Sequence, residues 1–226
     1  MYHNLFFISI LKFEKLKIRS EGGYITINLI KIKTHFYSSE EVVECVLLVI
    51  EGRIINLRTL EDSDAYSIYK NAKDRKVSRF THLPYPYRLK YAQDFVRLCQ
   101  EHYKNKTDYE LGIEFKETGE IIGMISLMHL GNSDRSAEVG YWLGIQYWRR
   151  GIIKEALSLI LGFGFKNLEL IKIYAKVLHP NLPSIRLLQS AGFRYEGRIK
   201  KSILREGSWL DELIFVLIDK DFRENC

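Results

Sequence analysis

The chain has 226 residues, a formal net charge of +6 at pH 7, 46% hydrophobic residues and 27% charged residues. This composition is typical of a globular protein and excludes a disordered chain, and the length allows one domain with a sizeable core. No long block of Lys and Arg accompanies the positive charge, so neither a nucleic-acid-binding tail nor a nucleic-acid partner is expected.

Three cysteines without a Cys-x-x-Cys pair predict neither a disulfide framework nor a cysteine zinc site, and they favour a reducing compartment. The histidines are scattered without a spacing of four residues, so no metal site is expected. The sequence contains no convincing targeting segment and no run of ~20 apolar residues. These features predict a cytoplasmic protein that binds neither a metal nor a membrane.

The first part of the chain, 1–52, is an extension whose status the sequence leaves open. Residues 25–29 alternate between apolar and polar after the turn signal Gly22-Gly23, which predicts a strand. Residues 41–50 end in an apolar run that fits either a strand or a short helix. The extension is either an accessory element or the product of a start codon placed too far upstream, and the main domain is predicted to span 53–226.

The main domain shows strand and helix patterns in a mixed order. A hydroxyl cap at Thr59 followed by Asp62 predicts a helix that runs to about Ala72, whereas two prolines within 83–87 predict an irregular segment. The remaining predicted elements are strands at 54–58, 109–115, 121–130, 137–145, 171–178, 193–201 and 210–218, and helices at 89–103, 150–166 and 184–191. This order combines an antiparallel meander with a parallel crossover, which predicts a mixed α/β sheet.

One segment carries most of the chemical information. The strand Glu-Val-Gly-Tyr-Trp-Leu at 138–143 is followed by a turn and by a helix that opens with Arg149, Arg150 and Gly151. The first turn of a helix has free N–H groups and a partial positive charge, so it attracts anions. Gly151 allows close backbone approach, and the two arginines add donors suited to phosphate. Taken alone, the segment fits a phosphate site and a solvated helix end equally well.

The segment resembles the acyl-CoA-binding motif of the GNAT acetyltransferase superfamily, and its tryptophan-containing form is similar to the RimJ/RimL-type ribosomal-protein N-terminal acetyltransferases. Two further matches follow in the expected order: His-Pro-Asn-Leu-Pro-Ser-Ile-Arg-Leu-Leu at 179–188 with Ala-Gly-Phe at 191–193, and Gly-Ser-Trp-Leu-Asp at 207–211. The resemblance covers about 53–222. It implies the GNAT fold, a largely antiparallel sheet with a splayed parallel pair in the middle and helices on both faces.

The resemblance implies acetyl-CoA as the acyl donor. The pantetheine arm would enter the gap between the splayed strands beside Trp142, Leu143 and Ile145, and Asn181 would hold the arm. The backbone amides expected to bind the pyrophosphate are those of Arg149, Arg150, Gly151, Ile152 and Ile153. Two positions depart from the family pattern: Arg149 stands where the subgroup often has glycine, and Ile153, where many members have a small residue, either crowds the phosphates or packs into the core.

The resemblance also implies direct attack of an amine on the thioester in a ternary complex. Glu138 is the predicted general base, directly or through a water; otherwise it is a solvent-facing or arginine-paired carboxylate. Many members have a tyrosine that acts as general acid where this chain has Leu188, so the general acid here is predicted to be Ser184, a water or no group. Deprotonating an α-amino group at pH 7 costs about 1.4 kcal/mol, against about 4.6 kcal/mol for a lysine, which favours a protein N-terminus as acceptor.

The acceptor site is predicted beside the proline segment, where Phe80, Tyr85 and Tyr87 are the candidate contacts, although each also fits a packing role. One alternative acceptor is a polyamine or an antibiotic, which needs a carboxylate-lined pocket. The carboxylates available for such a pocket are Glu110, Glu114 and Glu138. Another alternative is a non-catalytic acyl-CoA-binding module. A monomer and a homodimer are both compatible with the sequence.

Overall fold

The computed structural model describes residues 8–20, 23–36, 39–41, 48–130 and 134–224. Its strands are β1 (Ile8–Ser20), β2 (Gly23–Phe36), β3 (Ser39–Glu41), β4 (Val49–Glu51), β5 (Ile55–Arg58), β6 (Tyr109–Phe115), β7 (Ile121–Met128), β8 (Ser136–Leu143), β9 (Lys172–Leu178), β10 (Arg194–Arg205) and β11 (Ser208–Ile218). Its helices are α1 (Ala65–Ala72), α2 (Arg75–Ser78), α3 (Leu89–Asn105), α4 (Ile152–Lys166), α5 (Leu182–Ser190) and α6 (Asp219–Glu224).

The N-terminal strands form a small antiparallel sheet of their own, in the order β1-β2-β3. The strand predicted at 25–29 lies inside β2, which pairs with β1 from Ser20↔Gly23 to Ile8↔Thr34. The predicted element at 41–50 reaches the described residues at its ends, in β3 and β4, while 42–47 lie outside them.

The second sheet has eight strands in the order β10-β11-β9-β8-β7-β6-β5-β4. Its neighbours are antiparallel except for β8 and β9, which run parallel in the middle of the sheet. This arrangement confirms the predicted mixed α/β class with its central parallel pair. Because β4 pairs with β5, the sheet begins at Val49, ahead of the predicted domain boundary.

Helices cover both faces of this sheet. On one face, Leu157 and Ile160 of α4 pack with Ile113 and Ile125 in the larger core cluster. On the other face, α1 and α3 pack against β7 in a smaller cluster that includes Met124. The central strand β7 is therefore buried on both sides, which explains its nearly continuous apolar sequence. No helix in the described part of the chain is long and apolar enough to cross a membrane.

The start of α1 differs from the prediction. The first turn is a 3₁₀ turn, Asp62–Asp64, whose N-cap is Glu61 and whose third residue, Asp64, completes a capping box by accepting a hydrogen bond from the Glu61 backbone N–H at 2.8 Å. The Thr59 hydroxyl, predicted as the cap, is buried without a hydrogen-bond partner among the described residues. A carboxylate at the N-terminus of a helix benefits from the helix dipole as well as from the hydrogen bond, which favours Asp64 in this role.

Candidate active site

The central parallel pair separates after three residue pairs. The strands β8 and β9 pair from Ser136↔Lys172 to Glu138↔Tyr174, yet β8 continues to Leu143 and β9 to Leu178. Beyond Glu138, the edge of β8 that faces β9 has no ladder partner among the described strands. An open strand edge of this kind offers backbone donors and acceptors to an extended ligand.

The end of β8 is fixed by its neighbours. Leu143 is buried, and its carbonyl accepts a hydrogen bond from the indole Nε1 of Trp148 at 2.8 Å. Trp142 packs against the smaller core cluster, and Ile145 begins an exposed 3₁₀ turn. The indole therefore anchors the turn that leads from the splayed strand to the next helix.

That helix, α4, starts at Ile152 rather than at the predicted Arg150, because two residues before it have left-handed backbone conformations. The φ angles are 62° at Arg149 and 76° at Gly151, which is the N-cap. No side chain of the described residues caps the helix, so its first N–H groups stay available to an anion. A Cβ at Gly151 would meet no atom within 4 Å, which shows that the space in front of these amides is open.

Two side chains of the first turn of α4 face away from this space. Ile153 packs against the larger core cluster. Glu155 accepts hydrogen bonds from the backbone N–H groups of Arg53, at 2.5 Å, and Ile54, at 3.0 Å. The first turn of α4 is therefore held from behind, while Arg150 lies over the Tyr147 ring at 5.7 Å in front of it.

A hydroxyl pair joins β8 to α5. The Tyr141 OH and the Ser184 Oγ are 2.7 Å apart, and burial raises the pKa of Tyr141 to about 12. Ser184 is itself held by Asn181, the N-cap of α5, whose Oδ1 accepts a hydrogen bond from the Ser184 backbone N–H at 3.4 Å. Leu188, at the position of the family's tyrosine, is fully buried. Because a leucine has no proton to donate, the hydroxyl groups that β8 and α5 bring together here are those of Tyr141 and Ser184.

Glu138 lies at the point where the two strands separate. Its Oε2 is 2.9 Å from the Lys176 Nζ and 3.9 Å from the His129 Nε2, and its side chain is 13% exposed. The hydrogen bond to Glu138 raises the pKa of the Lys176 ammonium. Glu138 is thus a largely covered carboxylate paired with a lysine, in place of the solvent-facing or arginine-paired alternatives that the sequence suggests.

The Glu138 carboxylate and the Tyr141–Ser184 hydroxyl pair lie on opposite faces of the sheet. Side chains alternate along a strand, so Glu138 and Trp142 share one face of β8 while Tyr141 lies on the other. The packing agrees: Trp142 contacts the cluster under α1 and α3, whereas Tyr141 contacts the cluster under α4. The carboxylate and the hydroxyl pair therefore approach the gap between the strands from different sides.

A cavity of about 750 Å³ opens on the side of α1, next to the end of β8. Gln146 Nε2 donates a hydrogen bond to Asn71 Oδ1 at 2.9 Å, which fixes the turn after β8 to the end of α1. The cavity is lined by Lys70, Asn71, Lys73, Asp74, Arg75, Lys76, Arg79, Tyr85, Ile145, Gln146 and Glu206.

The three aromatic residues predicted for the acceptor site have different positions. Tyr85 lines the cavity and is exposed. Tyr87 is buried in the smaller core cluster, where it makes an edge contact with Tyr91, and Phe80 is half-buried beneath the Arg79 guanidinium. Only Tyr85 of the three lines the cavity; Tyr87 has the packing role that was the alternative, and the contact that the structure shows for Phe80 is with the Arg79 guanidinium.

The carboxylates suggested for a polyamine pocket are each engaged elsewhere. Glu110 bonds to the His102 ring at 2.9 Å, and Glu114 bonds to the Arg58 guanidinium at 2.7 Å. Glu138 has Lys176 as its partner. None of the three lines the cavity.

Residues 55–194 match the family defined as the acetyltransferase (GNAT) domain, which is more than half of the chain. The chain belongs to the GNAT acetyltransferase family. The match runs from β5 to the start of β10, so it includes the splayed strands, the start of α4 and the Tyr141–Ser184 pair. The predicted family and the predicted class of enzyme, an acyl-CoA-dependent N-acetyltransferase, are confirmed.

Other GNAT proteins resemble this one over most of their length. An uncharacterized N-acetyltransferase, YoaA of Bacillus subtilis, is 29% identical and covers 75% of this chain and 96% of its own. The spermidine N(1)-acetyltransferase of Escherichia coli K12 is 25% identical, covering 69% and 81%. Among solved structures, the ribosomal-protein-S5-alanine acetyltransferase of Vibrio fischeri has a TM-score of 0.70 at 22% identity, covering 77% and 98%. RimJ of Mycobacterium smegmatis, in complex with CoA-disulfide, has a TM-score of 0.66 at 24% identity, covering 77% and 86%.

The residues of this GNAT domain fit acetyl-CoA. The uncapped amides at the start of α4 and the open space at Gly151 suit a pyrophosphate, and the free edge of β8 suits an extended amide-containing arm. When bound, acetyl-CoA would supply the activated acyl group as a thioester.

Sequence reasoning missed three side chains of this GNAT site. Tyr141 lies inside the motif, and side-chain alternation along the strand places it on the face opposite Glu138. Its link to the site is the contact with Ser184, which the sequence alone does not show. Lys176 contacts Glu138, 38 positions before it in the chain, and Trp148 contacts the Leu143 carbonyl, five positions before it. Their partners depend on strand pairing and turn geometry, for which the sequence contained no local signal.

Proposed function

We propose that the protein acetylates the α-amino group of a protein N-terminus, with the amine attacking acetyl-CoA directly in a ternary complex. The observation that carries the proposal is the division of the site by β8. Glu138 faces the side of α1 and α3, where the cavity opens, and Ser184 with Tyr141 lies on the side of α4 and α5, where the amides at the start of α4 are free. Acceptor and donor therefore have separate entrances to one gap.

In this proposal Glu138 removes the proton from the attacking amine. An α-amino group has a pKa of about 8, so its deprotonation at neutral pH costs little free energy. A carboxylate at the gap is therefore a sufficient base, directly or through a water. Lys176 holds the carboxylate in place and neutralises it in the resting state. The backbone at Leu143 borders the same gap, and a backbone N–H there would polarise the thioester carbonyl.

Ser184 is the proposed donor of the proton that the departing sulfur needs, and its oxygen regains a proton from solvent as CoA leaves. Its hydroxyl is held from two directions, by the Tyr141 OH and by the start of α5. Because burial raises the pKa of Tyr141 to about 12, that phenol stays protonated at neutral pH and orients the Ser184 hydroxyl as a hydrogen-bond partner. The pair thus supplies a proton donor where Leu188 offers none.

A small-molecule amine is the second candidate acceptor, favoured by the similarity to a spermidine acetyltransferase. A polyamine and an aminoglycoside antibiotic are both polycations. The cavity next to the end of β8, on the face of the sheet that Glu138 shares, is lined by five cationic side chains and two acidic ones, an excess of positive charge that repels such molecules. A protein N-terminus, which carries one charge at the amine and variable residues after it, is compatible with this lining.

A thiol-release assay with acetyl-CoA tests the proposal. The acceptors are peptides beginning with Ser, Ala or Met, spermidine and an aminoglycoside, offered to the wild type, to Glu138→Gln and to Lys176→Met. Removing a general base lowers kcat by about 10²–10⁴-fold. We expect peptide turnover that falls by this amount in Glu138→Gln and by much less in Lys176→Met, which also breaks the ion pair but keeps the carboxylate.

Equal losses in the two variants would show that Glu138 acts only through the ion pair, and would remove it as the base. Turnover of spermidine but of no peptide would refute the N-terminal acceptor. Thermal unfolding of both variants, followed in parallel, identifies any loss of activity that comes from loss of folded protein.

A further inference from the structure

The cavity next to the end of β8 has an excess of cations that are not neutralised by the protein. Two of its lining cations have acidic partners: Arg75 is 2.7 Å from Glu206, and Lys70 is 3.1 Å from Glu120. The other three, Lys73, Lys76 and Arg79, form no ion pair with a described residue. These three are called the basic rim below.

The acidic residues of the cavity compensate the basic rim only in part. Asp74, the N-cap of α2, accepts the Lys76 backbone N–H at 2.8 Å and keeps its negative charge, which offsets one of the three cations. Glu206 is occupied by Arg75. Three positive side chains close together repel one another, so this arrangement is stable only at a cost that an anion would offset.

A fourth cation lies at the same contact. Arg205, next to Glu206 in the β10–β11 turn, donates from Nη2 to the Thr81 carbonyl at 2.5 Å. Its Nε is buried and has no hydrogen-bond partner among the described residues. Arg205 does not line the cavity, so its charge adds to the positive potential around the basic rim without a direct ligand contact.

The cavity is also placed correctly for the acceptor. Ile145 and Gln146, which line it, follow directly after the splayed end of β8. Tyr85, from the predicted acceptor segment, contributes an aromatic wall and lies 5.8 Å from the Arg75 guanidinium. A chain whose amino group enters the gap beside Leu143 from this side would therefore lay its following residues along the basic rim.

We propose that the basic rim selects an acidic acceptor, a protein whose first few residues after the N-terminal one include Asp or Glu. The inference rests on the proposed function, since it names the class of N-terminus that this site accepts. Carboxylates of the acceptor pair with Lys73, Lys76 and Arg79 and hold the amine at the gap.

The test measures binding and turnover separately in the full-length protein. A fluorescent peptide beginning Ser-Glu-Asp-Glu and a matched one beginning Ser-Gln-Asn-Gln are titrated against the CoA-saturated protein at low ionic strength, and both are then assayed with acetyl-CoA. We expect the acidic peptide to bind about tenfold more tightly, the scale of a few screened surface ion pairs acting together. The preference should shrink as salt is added, because the pairs are exposed.

Charge reversal of the rim locates the effect. Lys73→Glu, Lys76→Glu and Arg79→Glu should each weaken the acidic peptide by about threefold or more and leave the neutral peptide and the KM for acetyl-CoA unchanged. The control is Lys104→Glu, at an exposed position near the end of α3 that does not line the cavity, which makes the same change in net charge.

Three results would overturn the inference: equal binding of the two peptides, a rim variant that raises the KM for acetyl-CoA instead of weakening the peptide, or competition by spermidine against the acidic peptide. The second would assign the cations to the phosphates of the cofactor. If the peptides differ in binding but neither is acetylated, the proposed function fails while the anion preference of the cavity stands.

Discussion

The backbone at Arg149 gives a prediction with a calculable magnitude. Its φ of 62° is the left-handed conformation, which costs a residue with a side chain roughly 1–2 kcal/mol. Arg149→Gly removes this cost but gives about 0.5–1 kcal/mol back through the greater freedom of the unfolded chain. The net gain of about 0.5–1 kcal/mol corresponds to a rise in Tm of roughly 1–4 °C for a protein of this size.

Arg149→Ala is the matched control, because it removes the same guanidinium from the start of α4 but keeps a left-handed residue. We expect the order of Tm in thermal unfolding without CoA to be Gly above Ala. Both variants lose one donor for the pyrophosphate, so both should bind CoA about threefold to tenfold more weakly by calorimetry. An Arg149→Ala protein as stable as Arg149→Gly would show that backbone strain is not stored at this position, and unchanged CoA affinity would place the arginine outside the phosphate site.

Two other contacts give shorter tests. Tyr141→Phe should lower kcat by roughly threefold to tenfold with little change in the KM for acetyl-CoA, since one neutral hydrogen bond to Ser184 contributes ~1 kcal/mol. The double variant with Ser184→Ala should then lose no more than Ser184→Ala alone, and additive losses would mean that the two hydroxyls act independently. Glu155→Gln should lower the free energy of unfolding by about 1–2 kcal/mol in urea, because the backbone N–H groups of Arg53 and Ile54 lose a charged acceptor. An unchanged urea midpoint would contradict this account of how α4 is held.

The parts of the site that depend on nearby residues were predictable from the sequence. Gly151 and the strand before it identified the start of α4 to within two residues, because free amides and a left-handed glycine are local properties. The partners of Glu138 were not predictable, since Lys176 lies 38 positions away and reaches it across the parallel pair. The cavity was even harder to predict from the sequence. It forms where α2 meets the β10–β11 turn, through a contact of Arg75 with Glu206, which lie 131 positions apart in the chain.

The cap of α1 illustrates the same limit at short range. By residue type Thr59 is a preferred N-cap, yet the N-cap is Glu61 with Asp64 as its capping-box partner. The choice of Glu61 over Thr59 follows from Arg58, whose guanidinium binds both carboxylate oxygens of Asp64 at 2.8 Å and so fixes that side chain at the helix start. The Arg58–Asp64 ion pair therefore determines where the helix is capped, and residue preferences for capping positions do not reveal such a pair.

The alternation of side chains along β8 separates the residues that face α1 and the cavity from the residues that face α4. Residues that face α1 and the cavity can change without disturbing those that face α4, because no side chain of the strand belongs to both faces. Under the proposed function, one acceptor could therefore be exchanged for another while the acyl-donor side is kept, and proteins named for ribosomal-protein and for spermidine acetylation both resemble this chain. For protein engineering, the same proposal implies that the acceptor range could be redesigned at the rim of the cavity without changing the residues that face α4.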